Sequence, residues 1–212
     1  MNLKVTKELP GTPANIEMAP PYLVPVLMSE TPATARSAAV MALLTPVNEG
    51  RSKRDLLEWE VLLTQRHCYN GAHSGQVSFP GGKRDRKDAD FWATASRETL
   101  EEVGLAGDRL QQVAPLTQIF IPLTNFAIYP FLALRLGNAP IVPNPHEVAD
   151  YKNFPLRLFD PGLAQMVDFD CSDGVNRPAP TWLYEGYTIW GATAMVLSEI
   201  FRLVDGGGLT AS

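Results

Sequence analysis

Three glutamates and an arginine, packed into the stretch Arg97-Glu98-Thr99-Leu100-Glu101-Glu102-Val103-Gly104-Leu105, carry the chemistry this sequence can do. On a helix turning about 100° per residue, Glu101 falls about 60° to one side of Glu98 and Glu102 about 40° to the other, so all three carboxylates share one arc. Arg97 lies one helical turn before Glu101 and can pair with it. Clustered carboxylates repel one another. A hard divalent cation such as Mg²⁺ or Mn²⁺ takes several oxygen ligands and keeps some waters. It would relieve the repulsion and leave positions for a phosphate oxygen and an attacking water. A solvated acidic helix face has the same pattern, and the glutamates alone favour that simpler account.

The elements that must position these groups follow from caps and periodicity. The spacing predicts a helix over 91–103, with Asp90 as N-cap and Gly104 in the left-handed position that ends it. Upstream, Phe79-Pro80-Gly81-Gly82 predicts a tight turn where backbone can approach a ligand or metal. Short apolar runs predict strands at 38–44, 59–65, 76–79, 117–121 and 128–134. The segments 181–184 and 187–190 flank Glu185-Gly186, a two-residue hairpin signal. A last helix over 192–204 has one apolar face, with Val196, Leu197, Ile200, Phe201 and Val204 on it. The first 35 residues hold six of the 18 prolines and no periodicity. They predict an arm with a short extended piece near 22–28. The expected organisation is an arm at 1–35, one α/β sandwich domain at 36–206 and a flexible tail at 207–212. The arm and the last helix could each serve a homodimer interface, or each cover the chain's own core.

Composition sets outer bounds. Of 212 residues, 45% are apolar and 19% charged, and 18 Lys+Arg against 23 Asp+Glu leave a net charge of −5. A surface given over to nucleic acid is excluded, since phosphate attraction needs clustered Lys and Arg. A small phosphate-bearing substrate is not, because a bound cation can supply the missing positive charge. Two cysteines, Cys68 and Cys171, are too few for a disulfide framework or a cysteine zinc site. They fit reduced thiols in a cytoplasmic protein. No run approaches the ~20 apolar residues of a membrane helix. The best leader candidate, 22–28, is short, contains Pro25 and lacks a basic flank, so no signal peptide and no membrane partner are expected.

The box helix with its upstream glycines resembles the Nudix hydrolase family. That family's pattern is Gly, five residues, Glu, seven residues, then Arg-Glu-apolar-x-Glu-Glu-x-Gly-apolar. The second half matches from Arg97 to Leu105, with Thr99 in the apolar slot. The first half departs: Gly82 to Arg97 is 15 positions rather than 14. Asp88 is the acidic residue nearest the Glu slot, able to cap the helix or hold the loop. A second resemblance is to the coenzyme A pyrophosphatase subgroup. It rests on Leu62, Leu63, Thr64, Arg66, Gly75, Phe79, Pro80, Gly81 and Gly82 in register, on His73 and Gln76-Val77, and on Ile189-Trp190-Gly191-Ala192-Thr193-Ala194. His67 replaces a serine of that signature and Gly71 replaces an arginine.

The resemblance implies a Nudix-type α/β/α sandwich with a mixed central sheet. It also implies metal-dependent hydrolysis of a nucleoside-linked diphosphate by water attack on phosphorus. The expected partner is such a small molecule, with coenzyme A or an acyl-coenzyme A first. An NDP-sugar, ADP-ribose or a dinucleotide is the alternative that Gly71 favours, since the lost arginine would suit a substrate phosphate. A non-catalytic ligand-binding module does not require all three glutamates. By resemblance Glu98, Glu102, Glu101 and the Gly81 carbonyl are metal ligands, the ion being Mg²⁺ or Mn²⁺. Arg97 fixes the glutamate geometry. Glu101 and Glu147 are catalytic carboxylate candidates, although Glu147 equally fits an ordinary loop glutamate. Arg66, Gly75 and Phe79 are substrate-binding candidates, against a surface arginine and a core phenylalanine. Trp190 reads first as core. His67 and His73 read as loop-stapling histidines before a zinc pair.

Overall fold

A computed structural model describes residues 2–47, 56–67, 75–170 and 174–211. In chain order these form β1 (Leu3–Val5), α1 (Thr12–Glu17), α2 (Val24–Leu27), β2 (Arg36–Thr45), β3 (Glu60–Arg66), β4 (Val77–Ser78) and β5 (Gly81–Lys83). There follow α3 (Phe91–Val103), β6 (Leu110–Pro115), β7 (Ile119–Ile121), β8 (Phe126–Arg135) and β9 (Val148–Pro155). The chain ends with β10 (Gln165–Asp170), β11 (Asn176–Tyr184), β12 (Tyr187–Ile189), α4 (Gly191–Asp205) and β13 (Leu209–Ala211).

The longest apolar run becomes the middle of the main sheet. β2 pairs in parallel with β8 from Arg36 opposite Phe126 to Leu44 opposite Leu134. β6 and β7 add antiparallel to the far edge of β8. The other edge of β2 is shared. Its end meets β3 at Leu44 opposite Val61, while its start meets β5 at Ala38 opposite Lys83. β3 takes β4 on its outgoing half and β9 along its other edge. The sheet is therefore mixed, and β2 and β3 splay apart where β4 and β5 enter.

Side chains alternate across a strand, so β2 feeds two cores. Met41 and Leu43 pack with Leu62, Phe131 and Ala133 under Ala95 and Val103 of α3. Ala42 and Leu44 pack with Val61, Leu63 and Leu132 under Met195, Leu197 and Ile200 of α4. Two helices on opposite faces of one mixed sheet make the expected α/β/α sandwich. Among the described residues, no helix is long and apolar enough to cross a membrane.

The proline-rich start differs from expectation. Residues 22–28 are not extended: Pro21–Leu23 form a 3₁₀ turn and Val24–Leu27 a short helix. Pro13, Pro21 and Pro25 each sit in a first helical turn, where the missing N–H costs nothing. The expected tail carries β13, which pairs antiparallel with β1, Leu3 opposite Ala211. Pro80-Gly81-Gly82 is also more than a turn, because Gly81–Lys83 is a strand on β2.

Candidate active site

α3 begins and ends as its sequence demands. The Asp90 carboxylate accepts from the Ala93 N–H at 2.7 Å, and Gly104 adopts φ 72° as its C-cap. Thr94, Ala95, Thr99 and Val103 are buried, which turns Glu98, Glu101 and Glu102 toward β5 and the loop that precedes the helix.

Arg97 organises this cluster. Its Nε and Nη2 donate to the two Asp88 carboxylate oxygens, each at 3.0 Å. Its Nη1 donates to Glu98 at 2.7 Å and to Glu101 at 3.0 Å, and Nη2 also donates to the Lys83 carbonyl at 3.1 Å. One planar guanidinium thus ties the loop, β5 and two glutamates together. The Arg97 fork holds the Asp88 carboxyl well below the usual carboxylate range, and Asp88 in turn raises Arg97. Asp88 also accepts from the Asp85 N–H and the Thr94 hydroxyl, both at 2.9 Å. It holds the loop, as one sequence reading allowed, and grips the box arginine as well.

Glu102 is the opposite case. It is 5% exposed, and burial pushes its carboxyl up to about 7, while Arg66 and the Gly81 backbone N–H pull the other way. Arg66 lies 3.8 Å from one Glu102 oxygen, and the other oxygen, Oε2, is buried without a hydrogen-bond partner. A buried, unpaired carboxylate oxygen is costly unless something arrives to bind it. Burial also raises Glu98, with Arg97 opposing and Glu101 and Glu147 adding to the rise. Among the described residues no three His, Cys, Asp or Glu side chains are arranged as a metal site, and Arg97 takes the carboxylates of Glu98 and Glu101.

The glycines have steric reasons. A Cβ on Gly82 would lie 2.6 Å from the Glu98 carboxylate, and a Cβ on Gly81 would lie 2.4 Å from the Ala39 carbonyl. Gly82 therefore leaves the space that Glu98 occupies, and Gly81 lets β5 close onto β2.

The structure brings Glu147 to this cluster. It is exposed on the turn before β9, accepts from Asn144 Nδ2 at 3.1 Å, and lies close enough to raise both Glu98 and Glu102. The Asn144 N–H also donates to the Glu102 carbonyl at 2.8 Å, which fixes that turn to the end of α3. His67 Nε2 contacts the Pro145 carbonyl at 2.9 Å from the other side. Asn144 was missed in the sequence, although an asparagine between two prolines is a turn signal. His73, Gly71 and Cys68 lie outside the described residues.

Beside the cluster, in the splay of β2 and β3, opens a cavity of about 360 Å³. Arg66, Gly81, Gly82 and Lys83 line its entrance edge, and Phe79 and Trp190 line its wall. Phe79 is otherwise core, and Trp190 stacks on Phe169 at 3.9 Å. Gly75 does not reach the cavity. It closes the β3–β4 loop, its N–H donating to the His67 carbonyl at 3.2 Å.

Comparison with known proteins identifies the family and the fold. A NUDIX domain model matches residues 36–170. The uncharacterized Nudix hydrolase NudL of Salmonella paratyphi B is 33% identical over 141 residues, 66% of this chain and 72% of that protein. A MutT/nudix family protein from Enterococcus faecalis shares the fold with a TM-score of 0.53 at 19% identity, covering 87% of this chain and 68% of that one. The Nudix hydrolase RenU from M. smegmatis gives 0.50 at 19% identity, covering 81% and 87%. The matched segment contains the glycine strand, Asp88, the box helix and Glu147, so the residues gathered around Arg97 are those of a family member: the chain belongs to the Nudix hydrolases.

Proposed function

We propose that this Nudix hydrolase cleaves a nucleoside-linked diphosphate, with coenzyme A or an acyl-coenzyme A as substrate, and that residues 36–206 carry the reaction. The observation that carries this reading is the buried Glu102 carboxylate, with one oxygen unpaired, beside Arg66 and the glycine strand at the mouth of a cavity. Nudix hydrolases generally use divalent metal ions, and Mg²⁺ or Mn²⁺ held here by Glu98, Glu102, Glu101 and the Gly81 carbonyl would neutralise the charge on the diphosphate. The orphaned Oε2 and the acidic donor set fit a hard cation.

The remaining roles belong to the chain. Arg97 keeps Glu98 and Glu101 aimed, because its other hydrogen bonds to Asp88 and Lys83 fix the guanidinium itself. Arg66 stands at the cavity edge, where its second face can take a phosphate oxygen. Glu147, with Glu101 as the alternative, accepts the proton of the attacking water as the bridging P–O bond breaks. Phe79 shapes the cavity wall.

Gly71 in place of the subgroup's arginine supports a second reading, a different nucleoside diphosphate derivative. One assay separates the two. Purified protein with Mg²⁺ or Mn²⁺ is offered coenzyme A, hexanoyl-coenzyme A, ADP-ribose, UDP-glucose and a diadenosine polyphosphate, and products are resolved by chromatography. Cleavage of the coenzyme A compounds at the diphosphate is expected. Coenzyme A left intact while another compound is consumed overturns the first reading, and no cleavage of any compound overturns both.

A further inference from the structure

Glu147 is exposed, and a glutamate on an open turn spreads over many rotamers. The turn that carries it is tied down at both ends. Pro143 and Pro145 restrict the backbone around Asn144. α3 ends with the Glu102 and Val103 carbonyls unpaired within the helix, and the turn supplies their donors. The Asn144 N–H donates to the Glu102 carbonyl at 2.8 Å, and the Val142 N–H to the Val103 carbonyl at 3.0 Å. From the β3 side, the Pro145 carbonyl accepts from His67 Nε2 at 2.9 Å. Val148 then opens β9 opposite Arg66, and the register skips Ala149 before Asp150 meets Gln65. A bulge of this kind re-aims the side chains beside it. It leaves Glu147 one residue outside the strand, next to the arginine that approaches Glu102.

The Asn144 side chain completes the arrangement. Its Oδ1 accepts from the His146 N–H at 3.1 Å, an Asx turn that closes the loop on itself. Its carbonyl accepts from the Glu147 N–H at 3.0 Å and the Val148 N–H at 2.9 Å. Its Nδ2 donates to Glu147 Oε1 at 3.1 Å. One residue thus contacts both the helix that carries Glu102 and the carboxylate of Glu147. This grip takes Oε1 and leaves Oε2 to receive a proton. An amide suits that task. A lysine or arginine would orient a carboxylate as firmly, but its charge would weaken the carboxylate as a base. A neutral amide orients without that loss.

We infer that Asn144 is a positioning residue, which ties Glu147 to the end of α3 and holds its carboxylate toward the glutamate cluster for proton transfer. The inference rests on the proposed hydrolysis for what Glu147 accepts, but not for how Glu147 is held. Two measurements on the full chain test it. The first needs no turnover. In a nitrogen–proton correlation spectrum, the Asn144 side-chain amide is the pair of resonances lost in Asn144→Ser, and it should shift in Glu147→Ala. The second is kinetic and uses the diphosphate compound that the wild type cleaves. Asn144→Ser keeps an oxygen to close the turn but is too short to reach Glu147. It is expected to lower kcat by about tenfold, with KM and Mn²⁺ affinity within about twofold of wild type. In a Glu147→Gln background the same change should cost nothing further, because its effect passes through that carboxylate. A melting temperature checks each variant. If Asn144→Ser does not fold, Asn144→Asp, which keeps Oδ1 and loses the donor, takes its place. An unchanged kcat in the Asn144 variant, an equal loss in both backgrounds, full activity in Glu147→Gln, or an amide unmoved in Glu147→Ala overturns the inference. Absence of hydrolysis with the amide shift present overturns the diphosphatase reading instead and leaves the hold on Glu147 standing.

Discussion

The Glu102 carboxyl is held at a protonation state that burial favours and a cation would reverse. Its folded pKa, about 7, lies above the usual 4.5 of a glutamate. The folded chain therefore binds the extra proton between those values. The benefit is complete below pH 4.5 and is lost as pH rises through 7, so ionised Glu102 destabilises the metal-free protein in mild alkali. At 5% exposure little of this is screened, and the penalty amounts to at most about 3 kcal/mol. Glu102→Gln removes the charge and keeps the shape. In chelator at pH 8 the variant is expected to melt above the wild type, and the gap should close below pH 4.5. Mn²⁺ should reverse the order at pH 8, because only the wild type keeps the anionic oxygen. The same variant should lose about a hundredfold or more in kcat while folding normally. Calorimetric scans at two pH values with and without metal check the first part, and a gap of equal size at both would contradict the burial argument.

At the scale of elements, the site is a helix face held against a strand of glycines. Gly82 is the joint that meets the site directly, since a single methyl there lies 2.6 Å from the Glu98 carboxylate. Gly82→Ala is expected to displace Glu98 and lower Mn²⁺ affinity by about ten- to a hundredfold, with a smaller effect on melting temperature. Titration of Mn²⁺ by electron paramagnetic resonance reads this directly, and an affinity within twofold of wild type would refute the packing account. α3 was legible in the sequence down to both caps, because Asp90, the buried stripe and Gly104 are local signals. So were β2, β3 and the β11–β12 hairpin, which are apolar runs or a two-residue turn. β6 and β9 were not. Leu-Gln-Gln-Val-Ala-Pro and Val-Ala-Asp-Tyr-Lys-Asn-Phe-Pro carry too many polar residues to announce strands, and they form because β8 and β3 offer them open edges. The short helices of residues 12–27 were hidden by the opposite error. Proline reads as a breaker, but Pro13, Pro21 and Pro25 each occupy a first turn.

Across the whole molecule, the shared arc of the glutamates and the Arg97–Glu101 pairing were visible from spacing, whereas most of the company they keep was not. Asp88 was legible as a residue that could hold the loop but not as the partner of Arg97, and Asn144, Tyr22 and the Lys83 carbonyl reach the site through a turn, the leading segment and a sheet edge that no local pattern connects. Asp88, Asn144 and Lys83 are gathered by α3, whereas both ends of the chain close over the α4 face of the sandwich. The first strand, β1, lies beside the last, β13, with Leu3 opposite Ala211. That pairing has a mechanical meaning. Pulled apart by its two ends, the molecule is loaded like a zipper, one hydrogen-bonded pair at a time, and not in shear across many bonds at once. In an optical trap the first event should be a small, low-force extension as β1 parts from β13. A second should follow as α1 peels from α4 and takes Tyr22 and Leu23 out of the cavity, while β2 and β8, bonded along nine registered pairs, still hold the sheet under α3 together.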